Sequence, residues 1–198
     1  QHGFLMLPWM ERTEQLVDVI RENSVTCQYI VCHADVKGLR FNRWTKVEHG
    51  LDINDLKDYV KVYAGHIHHR QETGNVLYTG TPYQMDRGDR DNLKGFYILD
   101  ATGKQVIESF VPNTKSPMYK KYDMYQILEM SVERIKEEFD NAFVDIMVSI
   151  NIANKVSITR FLELISGSTH RKIEFFAYVE EKESITSIDF NPEDKFNV

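Results

Sequence analysis

Positive charge, cysteine and long apolar runs are all scarce in this sequence, and each scarcity removes a class of answer. Twenty-four Lys and Arg stand against 30 Asp and Glu, a formal charge of -6, so the surface is not basic overall. Nucleic-acid contact would have to come from a local patch or from bound metal that offsets the acid. The only cysteines, Cys27 and Cys32, make a single C-x4-C pair, neither a disulfide framework nor a complete zinc site. Cys32 sits in an apolar run and reads as a small buried hydrophobe, and cysteine usage this low suits a reducing compartment. No stretch is apolar for the length a membrane-spanning helix requires, so the expected location is cytoplasmic, without a membrane partner. Of five prolines, Pro112 and Pro117 bracket Asn113-Thr114-Lys115-Ser116, the clearest boundary in the chain.

The remaining composition, 42% hydrophobic and 12% aromatic over 198 residues, is enough for one sizeable domain or two small ones. Before the boundary, an apolar strand at 4–7 stops at Pro8, and a helix at 11–23 places Leu16, Val17 and Ile20 on one face. A buried strand at 28–32 runs into His33-Ala34-Asp35, and a polar segment at 38–50 reads as a long loop. Asp52 is placed to cap a short helix through Asp58. Strands at 59–63 and 75–82 follow, then a polar loop at 86–92 and a hairpin formed by 95–100 and 105–111. This order predicts an α/β layered core closed by an antiparallel edge.

Beyond the boundary the pattern is βαβαβ, a small two-layer α/β unit. Its strands are expected at 122–129, at 144–152, where Val144, Ile146, Val148, Ile150 and Ile152 alternate with polar positions, and at 173–179. Ser131 caps a helix carrying Val132, Ile135 and Phe139. Ser157 caps another, with Ile158, Phe161, Leu162 and Ile165 inward and Gly167 ending it. The expected divisions are a core at 1–112, a linker at 113–118, a second unit at 119–182 and a charged tail at 183–198.

The chemistry gathers at strand ends. His66 and His68, in Gly65-His66-Ile67-His68-His69, are two apart, and extended backbone would put both imidazoles on one side with His69 pointing away. Gly65 permits backbone angles or a close approach that a side chain forbids. His33 closes the upstream strand, and in an open α/β sheet both strand ends reach the same edge, so three imidazoles converge as candidate metal ligands. Asp35 is the one aspartate nearby that could bridge two ions, and a loop cap is its plainer reading.

Gly65-His66-Ile67-His68 after a strand, His33 closing an upstream strand, Leu7-Pro8-Trp9-Met10 ahead of a helix, and Tyr78-Thr79-Gly80-Thr81-Pro82 behind the histidines resemble the second half of a calcineurin-like metallophosphoesterase. Within that family they are most similar to the SbcD-type DNA-repair nucleases, and to the phage recombination nucleases among these. The likeness covers residues 4–111, and the unit after Pro117 stands where the family carries a DNA-binding cap domain.

The resemblance implies a β-sandwich core flanked by helices. It also implies hydrolysis of DNA phosphodiesters, as exonuclease and endonuclease, by water activated between two Mn2+ ions, with Mg2+ as the alternative. His33 and His66 would hold one ion and His68 the other. The catalytic histidine and remaining ligands are expected before Phe4, so this stretch by itself is expected to bind metal weakly and not to cleave DNA. Implied partners are DNA, an SbcC-like ATPase reached through a segment beyond the cap (185–198 at best begins it), and a second copy of the nuclease subunit. Candidate DNA contacts are Arg40, Arg43, Lys46, Arg87, Arg90, Lys120 and Lys121, with Arg171 and Lys172 behind them; for each, a solvated surface charge is the plainer reading. Two other readings stay open: a non-catalytic assembly or DNA-binding module, and a phosphomonoesterase or phosphodiesterase on the same core.

Overall fold

Alternate residues of the central strands point to opposite sides of one sheet, and both sides are covered. In the computed structural model, which describes residues 2–41, 45–153 and 155–179, this sheet has five strands: β1 (Phe4–Leu7), β2 (Tyr29–His33), β3 (Lys61–Gly65), β4 (Gln71–Thr73) and β5 (Val76–Tyr78). Their order is β1-β2-β3-β5-β4, with β1, β2, β3 and β5 parallel and β4 antiparallel at the edge. Ile30, Val62, Val76 and Tyr78 face a core shared with Leu16 and Ile20 of helix α1 (Thr13–Asn23) and with Leu39, Leu51 and Leu56. Tyr29, Tyr63 and Leu77 face the other side, against Tyr97 and Leu99. Burial on both faces is the rule for parallel strands, and it explains why these strands read as continuous apolar runs.

Tyr97 and Leu99 belong to β6 (Gly95–Asp100), which pairs antiparallel with β7 (Ile107–Pro112) in the expected hairpin. Asp52 caps a short 3-10 turn, Ile53–Leu56, by accepting the Asn54 amide. The segment expected to be one loop, 38–50, is flanked by an isolated bridge between Val36 and Leu51 and carries another between Arg40 and Lys46. Strand β4 was not anticipated: its three residues are polar and partly exposed, so they carry no apolar alternation.

The third sheet is wholly parallel, ordered β10-β9-β8, from β8 (Met118–Asp123), β9 (Ala142–Ser149) and β10 (Lys172–Tyr178). Helices α2 (Met124–Leu128), α3 (Val132–Phe139), α4 (Ile150–Ala153) and α5 (Ile158–Leu164) connect them. Its core is a separate cluster that includes Met124, Ile127, Phe139, Val144, Ile146 and Ile165.

Three expectations are corrected here. The strand placed at 122–129 ends at Asp123, whose side chain caps α2 in a reciprocal capping box with Gln126. The strand placed at 144–152 stops at Ser149, which turns the chain into α4 by accepting the Asn151 amide. In α5, Phe161 and the following Ile165 are buried, but Ile158 and Leu162 are each 41% exposed, so the apolar face is narrower than its composition. The caps Ser131 and Ser157 form as expected, each accepting the amide three residues on. Residues 113–116 form a turn in which Asn113 Oδ1 accepts the amides of Lys115 and Ser116. The tail at 183–198, the end of the expected second unit and the segment 185–198 lie outside the described residues.

Candidate metal centre

His33 is the last residue of β2 and is registered opposite Gly65, the last residue of β3. A Cβ at position 65 would lie 3.0 Å from His33 Nδ1, so glycine leaves the His33 ring its place, and any side chain there would press on it. The unusual backbone angle falls one residue later: His66 has φ of 97°. The extended-strand argument for the His66-x-His68 pair therefore does not hold, because the strand has ended and the chain turns at His66 itself. Such an angle on a non-glycine residue persists where neighbours over-determine it. Here Trp9 stacks on the His66 ring at 5.1 Å and 24°, and buried Ile67 anchors the next position.

The turn brings His66 Nδ1 to 3.1 Å from His33 Nε2 and leaves His66 Nε2 3.5 Å from Asp35 Oδ1. Two nitrogens bound to one first-row ion at about 2.1 Å stand roughly 3.0–3.4 Å apart, so the His33 to His66 spacing fits a shared ion. The loop between His33 and Asp35 is held by Tyr78, whose buried hydroxyl donates to Ala34 O and accepts the Val36 amide. Burial, above all, raises the Tyr78 phenol pKa, so the hydroxyl stays protonated. Cys32, beside His33, is likewise pushed up to about 12 by burial, which makes it an inert thiol.

His68 meets a different set. Its Nδ1 lies 3.5 Å from Asp89 Oδ2, and its carbonyl accepts from Lys94 Nζ at 2.6 Å. His68, Asp86 and Asp89 bring one ligand atom each within 4.8 Å of one another. They line a cavity of about 290 Å³ with Phe41, His69, Gly88 and Asn92. His69, expected to point away, is exposed at this rim. Asp89 is 4% exposed. Burial alone would raise its carboxyl pKa, but bonds from Lys94 and the Met85 amide, with the Lys94 and His68 charges, hold it below the ordinary range. Imidazole and carboxylate together form a donor set suited to divalent first-row ions.

Asp86 and Asp89 escape sequence reasoning because the loop at 86–92 reads as solvated polar chain, and Lys94 because a lysine between that loop and the hairpin reads as a surface charge. The available signal was Asp86-Arg87-Gly88-Asp89, a 3-10 turn over Arg87–Asp89 capped by Asp86.

No family model matches the chain. It is, however, 31% identical over 144 residues to "Exonuclease subunit 1" of Enterobacteria phage T4, an alignment covering 68% of this chain and 41% of that protein. This chain is a relative of that phage exonuclease subunit. It spans about 41% of the relative's length.

The basic residues expected to contact DNA fare differently in the structure. Arg40 and Lys46 are exposed beside the Phe41 rim, and Lys121 is exposed on β8. Arg43 lies outside the described residues. Arg87 Nε and Arg90 Nη2 both bind Asp145 Oδ2, at 2.8 and 2.7 Å, and Arg87 also reaches Glu174. Arg90, 20% exposed, thus serves an internal ion pair, while Arg87 keeps half its side chain open. Lys120 is held by Glu138, Arg171 by Asn141 and Lys172 by Glu174. Among the described residues, no helix is long and apolar enough to cross a membrane.

Proposed function

We propose that this chain forms part of a metal-dependent DNA nuclease subunit that hydrolyses phosphodiester bonds, as exonuclease and endonuclease, in break repair and recombination. The single observation that carries the reading is the 3.1 Å approach of His33 Nε2 and His66 Nδ1 from two adjacent strand ends. The name of the T4 relative points the same way. In this reading residues 1–112 belong to a layered metallophosphoesterase core and 119–182 to its DNA-binding cap.

His33 and His66 hold one Mn2+ and His68 the other, with further ligands and a catalytic histidine supplied by the rest of the native protein. Bound divalent ions supply Lewis acidity toward phosphate and lower the pKa of water at the site. The chain's own residues do the positioning. Gly65 lets the two strand ends close, Trp9 fixes the His66 ring, and Tyr78 holds the intervening loop. Arg40, Arg43, Lys46 and Lys121 are candidate phosphate contacts, and an SbcC-like ATPase and a second nuclease subunit are the proposed protein partners in the cytoplasm.

The test is Mn2+-dependent cleavage of linear duplex DNA by the native protein and by its H66A and H68S variants. Loss of cleavage in both is expected; full cleavage in either overturns the reading. Hydrolysis of a small chromogenic phosphomonoester with DNA left intact would favour the phosphomonoesterase alternative.

A further inference from the structure

Lys94 and Asp89 form an ion pair, Nζ to Oδ1 at 2.6 Å, with side chains only 4% and 5% exposed. Pairs buried this deeply seldom add stability over apolar residues of the same size, so their placement asks for another reason. Every bond they make leads to His68 or steadies the part that does. Lys94 Nζ donates to Asp89 Oδ1 and to the His68 carbonyl, both at 2.6 Å. Asp89 Oδ2 accepts the Met85 amide at 2.9 Å and faces His68 Nδ1 at 3.5 Å. Both carboxylate oxygens are thus already engaged by fixed donors. That suits an outer acceptor better than a direct ligand. A neutral imidazole carries one ring proton, and its ligating nitrogen must be bare.

We propose that Asp89 and Lys94 are positioning residues for His68: Asp89 accepts Nδ1–H, which leaves Nε2 as the ligating nitrogen, and Lys94 fixes the carboxylate and the His68 backbone together. The inference rests on the assignment of His68 to a metal centre. The ligating His68 atom is then set by tautomer selection through a buried acceptor. Loss of such outer partners lowers metal affinity by about 10–100-fold.

The test has two arms on the native protein. In the first, ring-nitrogen NMR at roughly pH 8, where free histidine is neutral, reads the His68 tautomer without metal. Wild type is expected to carry the proton on Nδ1, and a proton on Nε2 overturns the proposal with no variant needed. In the second, Mn2+ affinity is measured by competition for H68A, D89N and the double variant D89L/K94M. The double change removes both charges together, so no lone buried charge threatens the fold. D89L/K94M is expected to show mixed His68 tautomers and about 10–100-fold weaker Mn2+ binding. D89N keeps a neutral acceptor and is expected to fall between it and wild type. If H68A weakens Mn2+ binding while D89L/K94M leaves tautomer and affinity unchanged, the positioning role fails and the functional reading stands. If H68A leaves affinity unchanged, the functional reading fails, and the tautomer alone decides for or against the contact with Asp89.

Discussion

The Tyr78 hydroxyl accepts the Val36 amide at 2.8 Å, although the two residues are 42 apart in sequence and both are fully buried. The same hydroxyl donates to Ala34 O at 2.7 Å, so one side chain fixes both ends of the loop that holds Asp35. Y78F leaves a buried amide and a buried carbonyl without a partner while preserving shape. It is expected to destabilise the protein by about 1–3 kcal/mol in urea unfolding. Mn2+ affinity should fall with it, because the His33 loop loses its anchor. A Y78F midpoint equal to wild type would mean that the hydroxyl does not clamp the loop.

Gly65 tests the approach of the two strand ends without touching an imidazole. A methyl there would stand 3.0 Å from His33 Nδ1, the end of an exposed side chain that can swing away. G65A is therefore expected to cost less than about 1 kcal/mol of stability yet to weaken Mn2+ binding, by displacing the His33 ring. The check is calorimetric Tm beside Mn2+ titration. Equal affinity in the two proteins would show that His33 is not needed where it stands.

Asp145, 6% exposed, receives two guanidiniums from the turn that carries Asp89. D145A strands Arg90 with no partner in a mostly buried place, whereas Arg87 can still reach Glu174 and water. The expected loss is about 2–3 kcal/mol, below the usual cost of halving a fully buried pair because one partner is half exposed. Because the turn also presents Asp86 and Asp89, His68 resonances should shift in D145A although Asp145 does not touch that ring. Unchanged His68 resonances would argue that the turn is held from elsewhere.

Glu138 gives a pH signature independent of the histidines. It accepts from the Tyr122 hydroxyl at 2.8 Å and from Lys120 at 3.0 Å, and these donors, Tyr122 first, hold its carboxyl below the ordinary range. A depressed carboxyl pKa stabilises the folded state fully above the unfolded value of about 4.3, and the stabilisation disappears as pH falls through the folded value. E138Q should therefore be less stable than wild type by about 1 kcal/mol near pH 7, most of it the lost Tyr122 bond because the Lys120 pair is partly screened by solvent, and the gap should close as pH falls through the folded value. Urea midpoints across that range provide the measurement, and a gap that stays constant would contradict the linkage.

Much of the framework was legible because local rules wrote it. The hairpin of β6 and β7, the caps at Asp52, Ser131 and Ser157, and the placement of His33 at a strand end all follow from periodicity and capping chemistry within a few residues. The strand expected at 122–129 gives way for an equally local reason: Asp123 and Gln126 are spaced as a capping box, which starts a helix where the sequence order suggests a strand.

The sequence by itself determined which residue types reach the edge of the first sheet, since each imidazole lies within a few residues of a strand whose apolar run names it. Tertiary structure alone decided their partners. Lys94 reaches His68 from 26 residues away and Arg87 reaches Asp145 from 58 away, distances at which chain order says nothing about contact. Asp145 makes the physical reason plain. Strand alternation puts it on the face opposite Val144 and Ile146, as a polar position should be. Only the folded arrangement shows that this face meets two arginines rather than water.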